Sequence, residues 1–88
     1  MKKPKLAVAL HYDGNDAPRV TAKGGGEIAQ RIIETAQEHG IPLEEDPALA
    51  GLLYNVELGD QIPETLYLVV AELLAFIYQM RGQLEIKD

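Results

Sequence analysis

The chain contains no cysteine and no serine. The first absence excludes disulfides and thiolate metal sites. Together they remove the common nucleophile triads, leaving only threonine variants. Basic residues are scarce: eight Lys and Arg stand against 14 Asp and Glu, for a formal net charge of −6. A surface of that sign is unsuited to nucleic acid, which demands positive charge. No apolar run approaches the roughly 20 residues that cross a bilayer. The basic start, Met1-Lys2-Lys3-Pro4, is followed by too short an apolar run for a signal peptide. These absences point to a soluble cytoplasmic protein without direct membrane insertion.

What is present fits one small domain of 88 residues, 47% of them apolar. Leu6 to Leu10 is uninterrupted by charge and is bounded by Lys5 and by Asp13-Gly14-Asn15-Asp16. Such a run reads as a strand covered on both faces. The turn residues through Pro18 lead to a second, antiparallel strand at Arg19–Lys23. A helix is expected from about Gly25 to His39, with Ile28, Ile32, Ile33 and Ala36 facing inward and Gly40 ending it. Ile41 to Glu45 reads as a third strand, expected beside the first through a right-handed crossover, with Pro42 keeping it near an edge. Asp46-Pro47 is a helix start, an N-cap acceptor followed by Pro. The short helix behind it would bury Leu49, Leu52, Leu53 and Val56. A last helix, from Ile62-Pro63-Glu64 to about Arg81, is apolar around well over half its circumference, Leu66, Val69, Val70, Leu73, Leu74, Ile77 and Tyr78 included. The fold class is therefore α/β: a small mixed three-stranded sheet, an antiparallel hairpin plus one βαβ crossover, packed by three helices. One domain spans 1–82, and 83–88 reads as a polar C-terminal tail.

The residues offer little chemistry. Gly24-Gly25-Gly26 before a helix has the look of an anion cradle but lacks the P-loop Lys-Ser/Thr and the GxGxxG spacing. A tight strand-to-helix turn explains it. His11 and His39 have no ligand spacing, and Glu44-Glu45-Asp46 reads as a solvated loop with an N-cap. No catalytic residue, metal ligand or cofactor site is assigned.

A resemblance is carried by a series of short pieces: Ala7-Val8-Ala9-Leu10 with Tyr12, Ala17-Pro18, Ala22-Lys23-Gly24, Ile41-Pro42, Pro47-Ala48-Leu49-Ala50, Leu53-Tyr54, Ile62-Pro63, Leu66-Tyr67, Val70-Ala71-Glu72 and Ile77-Tyr78. In that order and spacing they resemble the cytoplasmic domain of the FlhB-type export-gate proteins of flagellar and virulence type III secretion. The resemblance covers about residues 6 to 80. It implies a role at the cytoplasmic face of an export machine, where the family's domain helps change the class of substrate exported. The family cleaves itself within an Asn-Pro-Thr-His motif, by cyclisation of the asparagine side chain, just before the Ala-Val-Ala-Leu strand. Here the corresponding positions are Lys2, Lys3, Pro4 and Lys5, so the asparagine and the histidine are both missing.

The resemblance thus implies a non-enzymatic, stand-alone counterpart of the family's C-terminal cleavage product. In the family one more strand and a helix precede the cleavage site, and their lack would leave an exposed sheet edge or helix flank. The implied partners are the membrane-anchored FlhB remainder or other gate subunits, with export substrates and the hook-length control protein as further candidates. The partner-binding candidates are Lys3, Pro4 and Lys5, where the scission loop would be, and Asp46 and Pro47. A regulatory decoy that binds substrates or gate subunits elsewhere, and a small anion-binding domain at Gly24–Gly26, are the alternatives.

Overall fold

The computed structural model describes residues 5–12, 16–77 and 83–87. Along the chain run β1 (Leu6–His11), β2 (Arg19–Gly25), α1 (Glu27–Glu38), β3 (Leu43–Glu45), α2 (Pro47–Tyr54), α3 (Glu64–Ile77) and β4 (Gln83–Lys87). The strands form one sheet in the order β2-β1-β4-β3. β1 is antiparallel to both β2 and β4, and β3 is parallel to β4.

The expected α/β architecture is present, but with four strands. The segment read as a polar tail, 83–88, is over Gln83–Lys87 the strand beside β1. The third strand consequently pairs with β4 and not with β1. The physical reason lies in what each strand can bury. β4 supplies Ile86, fully buried, to the core, whereas β3 has only Leu43 before two glutamates. A short charged strand belongs at an edge, and β3 takes one, directly after Pro42 as anticipated. β1 has a neighbour on each side, so the edges of the described sheet are β2 and β3.

The pattern of β1 explains the layering. Val8 and Leu10 point to one face, where they meet Val20, Ile86, Leu49, Ala50, Leu53, Ile62 and Val70. That face is covered by α2 and α3. Ala7 points to the other face, against Ala29 and Ile33 of α1, with Ile32 and Leu43 at the margin. Small side chains there let α1 approach the sheet closely. Both faces of β1 are thus covered, as a charge-free run demands.

α1 starts at Gly26, which offers no side-chain cap. A Cβ at Gly24 would collide with Ile28 Cβ and Cγ2. Ile28 therefore lies over Gly24 and stays 58% exposed, and the inward position expected for it belongs to Ala29. The helix ends in a Schellman motif: Gly40 has φ +67°, its N–H donates to Gln37 O at 3.3 Å, and Ile41 N–H donates to Ala36 O at 2.8 Å. A similar correction applies to α2. Leu52 is 53% exposed, and Ala50 is buried in its stead. In α3 Val70 is buried, while Val69, expected inside, is 46% exposed. Tyr78 and the end of the predicted helix lie outside the described residues.

Lys23 shows how a cation is accommodated next to this core. Its Nζ donates to Tyr54 O at 2.9 Å and Val56 O at 2.8 Å, and sits 5.3 Å from the centre of the Tyr54 ring. It satisfies carbonyls at the C-terminal end of α2, where positive charge is favoured.

Candidate functional site

Sheet register brings distant parts of the sequence to one end of the sheet. There β2 ends, β1 begins, and β4 and β3 end: Leu6 pairs with Gly25, Ala7 with Lys87, and Lys87 with Glu45. Lys5, at this end, is exposed, and its carbonyl accepts from Gly26 N–H at 2.8 Å. Asp46 N–H donates to Lys87 O at 2.6 Å. Of the sequence-derived candidates, Lys5, Asp46 and Pro47 therefore share one end of the molecule. Lys3 and Pro4 lie outside the described residues.

Asp46 has a definite structural task. Its Oδ1 accepts from Leu49 N–H at 3.0 Å, which caps α2, and Pro47 fills the first helical position. Asp46→Ala is expected to lower stability by about 1 kcal/mol, and Asp46→Asn by much less. Urea unfolding midpoints of the two variants check this. Pro47 itself is exposed.

The histidines are not brought together. His39 caps α1, its Nδ1 2.9 Å from Thr35 O, while His11 is at the far end of β1. Of Gly24–Gly26, the first two are the last residues of β2, paired with Ala7 and Leu6, and Gly26 alone makes the turn into α1.

Two features were not singled out from sequence. The first is a hollow of about 440 Å³ lined by Asp16, Ala17, Gln61, Ile62, Glu64 and Tyr67. It opens beside the first turns of α3. One turn on from Glu64, Leu68 is 74% exposed, and Val69 adjoins it. The second is Glu85 of β4. It is only 6% exposed, and its Oε2 has no hydrogen-bond partner. It lies between Ala9 of β1 and Leu43 of β3, on the face that α1 covers. Loss of hydration there pushes its carboxyl from 4.5 up to about 7. The only sequence signal for it was the alternation Leu84-Glu85-Ile86, which is the period of a strand.

Comparison with known proteins agrees with this architecture. The FlhB HrpN YscU SpaS Family matches residues 4–77. The uncharacterized protein YlqH of Bacillus subtilis is 49% identical over 78 residues, covering 86% of this chain and 84% of the relative. The flagellar biosynthetic protein FlhB of Salmonella typhimurium is 51% identical over 78 residues, covering 85% of this chain and 20% of FlhB. The chain thus spans about a fifth of the FlhB sequences it matches. Among solved structures, the cytoplasmic domain of FlhB from Shewanella putrefaciens superposes with a TM-score of 0.80 at 41% identity, over 89% of this chain and 68% of that one. The PscU C-terminal domain superposes with a TM-score of 0.76 at 29% identity, over 82% and 95%. Among the described residues no helix is long and apolar enough to cross a membrane. Matched over most of its length in both sequence and fold, the chain belongs to the FlhB, HrpN, YscU and SpaS family of export proteins.

Proposed function

We propose that the chain is a non-enzymatic docking module of a type III export apparatus, standing in for the cleaved C-terminal fragment of an FlhB-type gate protein at the cytoplasmic face. The observation that carries the reading is a family fold kept intact behind an altered cleavage motif. The positions of the asparagine and histidine are occupied by Lys2 and Lys5, and a lysine side chain cannot cyclise as asparagine does. What the family fold still offers is surface.

Two surfaces support contact with gate subunits or export substrates. One is the sheet end with Lys5 and Pro47 exposed. The other is the hollow at Ala17 and Tyr67 with the apolar residues Leu68 and Val69 beside it. Addition of a partner strand to β1 is not the mode of docking, since β4 holds that place.

The test is complementation. A strain whose FlhB lacks its cytoplasmic domain is expected to regain motility when this chain is supplied. Leu68→Glu should reduce the rescue while leaving the folded protein intact, because its side chain is in solvent. A folded, expressed chain that restores nothing would overturn the reading. Should it instead depress motility of the wild type, the decoy role gains the ground.

A further inference from the structure

Glu85 is the one described polar side chain with an atom both buried and unpartnered. Burial of a carboxylate without compensation costs several kcal/mol in principle, so its surroundings bear on what it is for. Two hollows meet at this residue. The first, about 290 Å³, is lined by Ala22, Ile28, Arg31, Ile32, Thr35 and Glu85. The second, about 330 Å³, is lined by Ala9, Leu10, His11, Thr21, Ile41 and Glu85. The first has an aliphatic wall, Ala22 with Ile28 and Ile32, that leads from the surface to the carboxyl group.

The neighbouring charges do not already neutralise it. Arg31 reaches the first hollow from α1 and His11 the second from β1. Lys87, two residues on along β4, is on the same face, with Glu45 of β3 opposite it. None of these is a hydrogen-bond partner of the buried oxygen. The arrangement is an aliphatic wall leading to a carboxyl group whose buried oxygen has no partner.

We propose that the hollow beneath α1 is a binding site for a lysine side chain presented by a partner protein, its methylenes lying on Ile28, Ile32 and Ala22 and its ammonium pairing with Glu85. Charge complementarity selects a cation, and the aliphatic wall selects a long apolar stem. A single ammonium suits the site better than a guanidinium. Oε2 is sealed from solvent, so the ammonium pairs through the other carboxylate oxygen and the two-pronged contact that favours arginine is not on offer. Ile28, held over Gly24 and exposed, becomes the lip of the site. The inference does not depend on which assembly the chain serves.

The probe is N-acetyl-lysine N-methylamide, titrated into the labelled full chain and followed by amide chemical shifts. Saturable shifts are expected at Ala22, Arg31, Ile32, Thr35 and Glu85. The norleucine counterpart, which keeps the stem and lacks the charge, should bind about tenfold more weakly or not at all, as expected for a charge-assisted contact worth roughly 1.4 kcal/mol or more. Glu85→Gln keeps the shape of the side chain and should abolish the difference between the two probes. Glu34→Gln, a control on the exposed face of α1, should leave it unchanged. Equal shifts from both probes, an unaffected Glu85→Gln, or shifts spread evenly over acidic surface residues would each overturn the proposal. Stronger binding of the arginine counterpart would overturn the choice of lysine.

Discussion

A chain ended at residue 82 is expected to lose its cooperative unfolding transition. The loss follows from where β4 lies, not from its length. β4 is flanked by β1 and β3, so its removal strips a hydrogen-bonding partner from both. It also removes Ile86, fully buried against Val8, Leu10 and Val70. Burial of a residue of this size is worth about 2–5 kcal/mol. Each backbone group left buried and unpaired costs a further 1–3 kcal/mol or so. A domain of this size has roughly 5–10 kcal/mol in total, so the sum exceeds what is available. Ile86→Ala isolates the side-chain share. It should fold and lose about 2–5 kcal/mol, with the backbone ladder kept. Circular dichroism and urea titration of both variants decide the matter. A truncated chain that unfolds at the wild-type midpoint would show that β4 is an ornament.

This strand also marks the limit of what could be read in the sequence. Leu6 to Leu10 announces its own burial because five apolar residues without a charge have no polar face to turn outward. Gly40 and Asp46-Pro47 announce helix ends because capping is local, needing only the few residues around it. β4 is different. Gln83 to Lys87 carries two charges in five residues, and what makes it central is partners at positions 6–11 and 43–45. Similarly, size and period place Ile28 and Leu52 inward, yet both are exposed. Neither size nor period accounts for Gly24, or for the way alanines at 29 and 50 let a helix settle closer to the sheet. The candidate site divides along the same line. The cap at Asp46 was legible. Its arrival at the same sheet end as Lys5 was not, since register alone sets it. Glu85 was hidden for the most direct reason: a glutamate in a polar segment gives no hint that the segment will be buried.

That misplaced glutamate leads to the second large effect, a stability that declines as pH rises. The carboxyl titrates at 4.5 ordinarily and at about 7 in the fold. Below 4.5 both folded and unfolded chains hold the proton, and the residue is neutral about stability. Between the two values the unfolded chain has released its proton while the folded chain keeps it. Each step up in pH then favours the unfolded state. Above about 7 both are ionised, and the loss, reduced by the solvent that still screens the group, is on the order of 2 kcal/mol. This is the reverse of the usual carboxylate, whose folded form is the better acid and whose stability is lost in acid. Glu85→Gln has no charge to release, so the difference in unfolding free energy between it and the wild type isolates this residue from all others. That difference should be small near pH 4.5, grow in favour of Gln through the interval, and level off past pH 7. Bound cations should flatten the decline in the wild type alone, because a paired carboxylate no longer resists ionisation. Parallel stability curves for the two proteins would mean that Glu85 is solvated or paired in solution. The site beneath α1 would then hold no desolvated, unmatched acid for a cation to pair with.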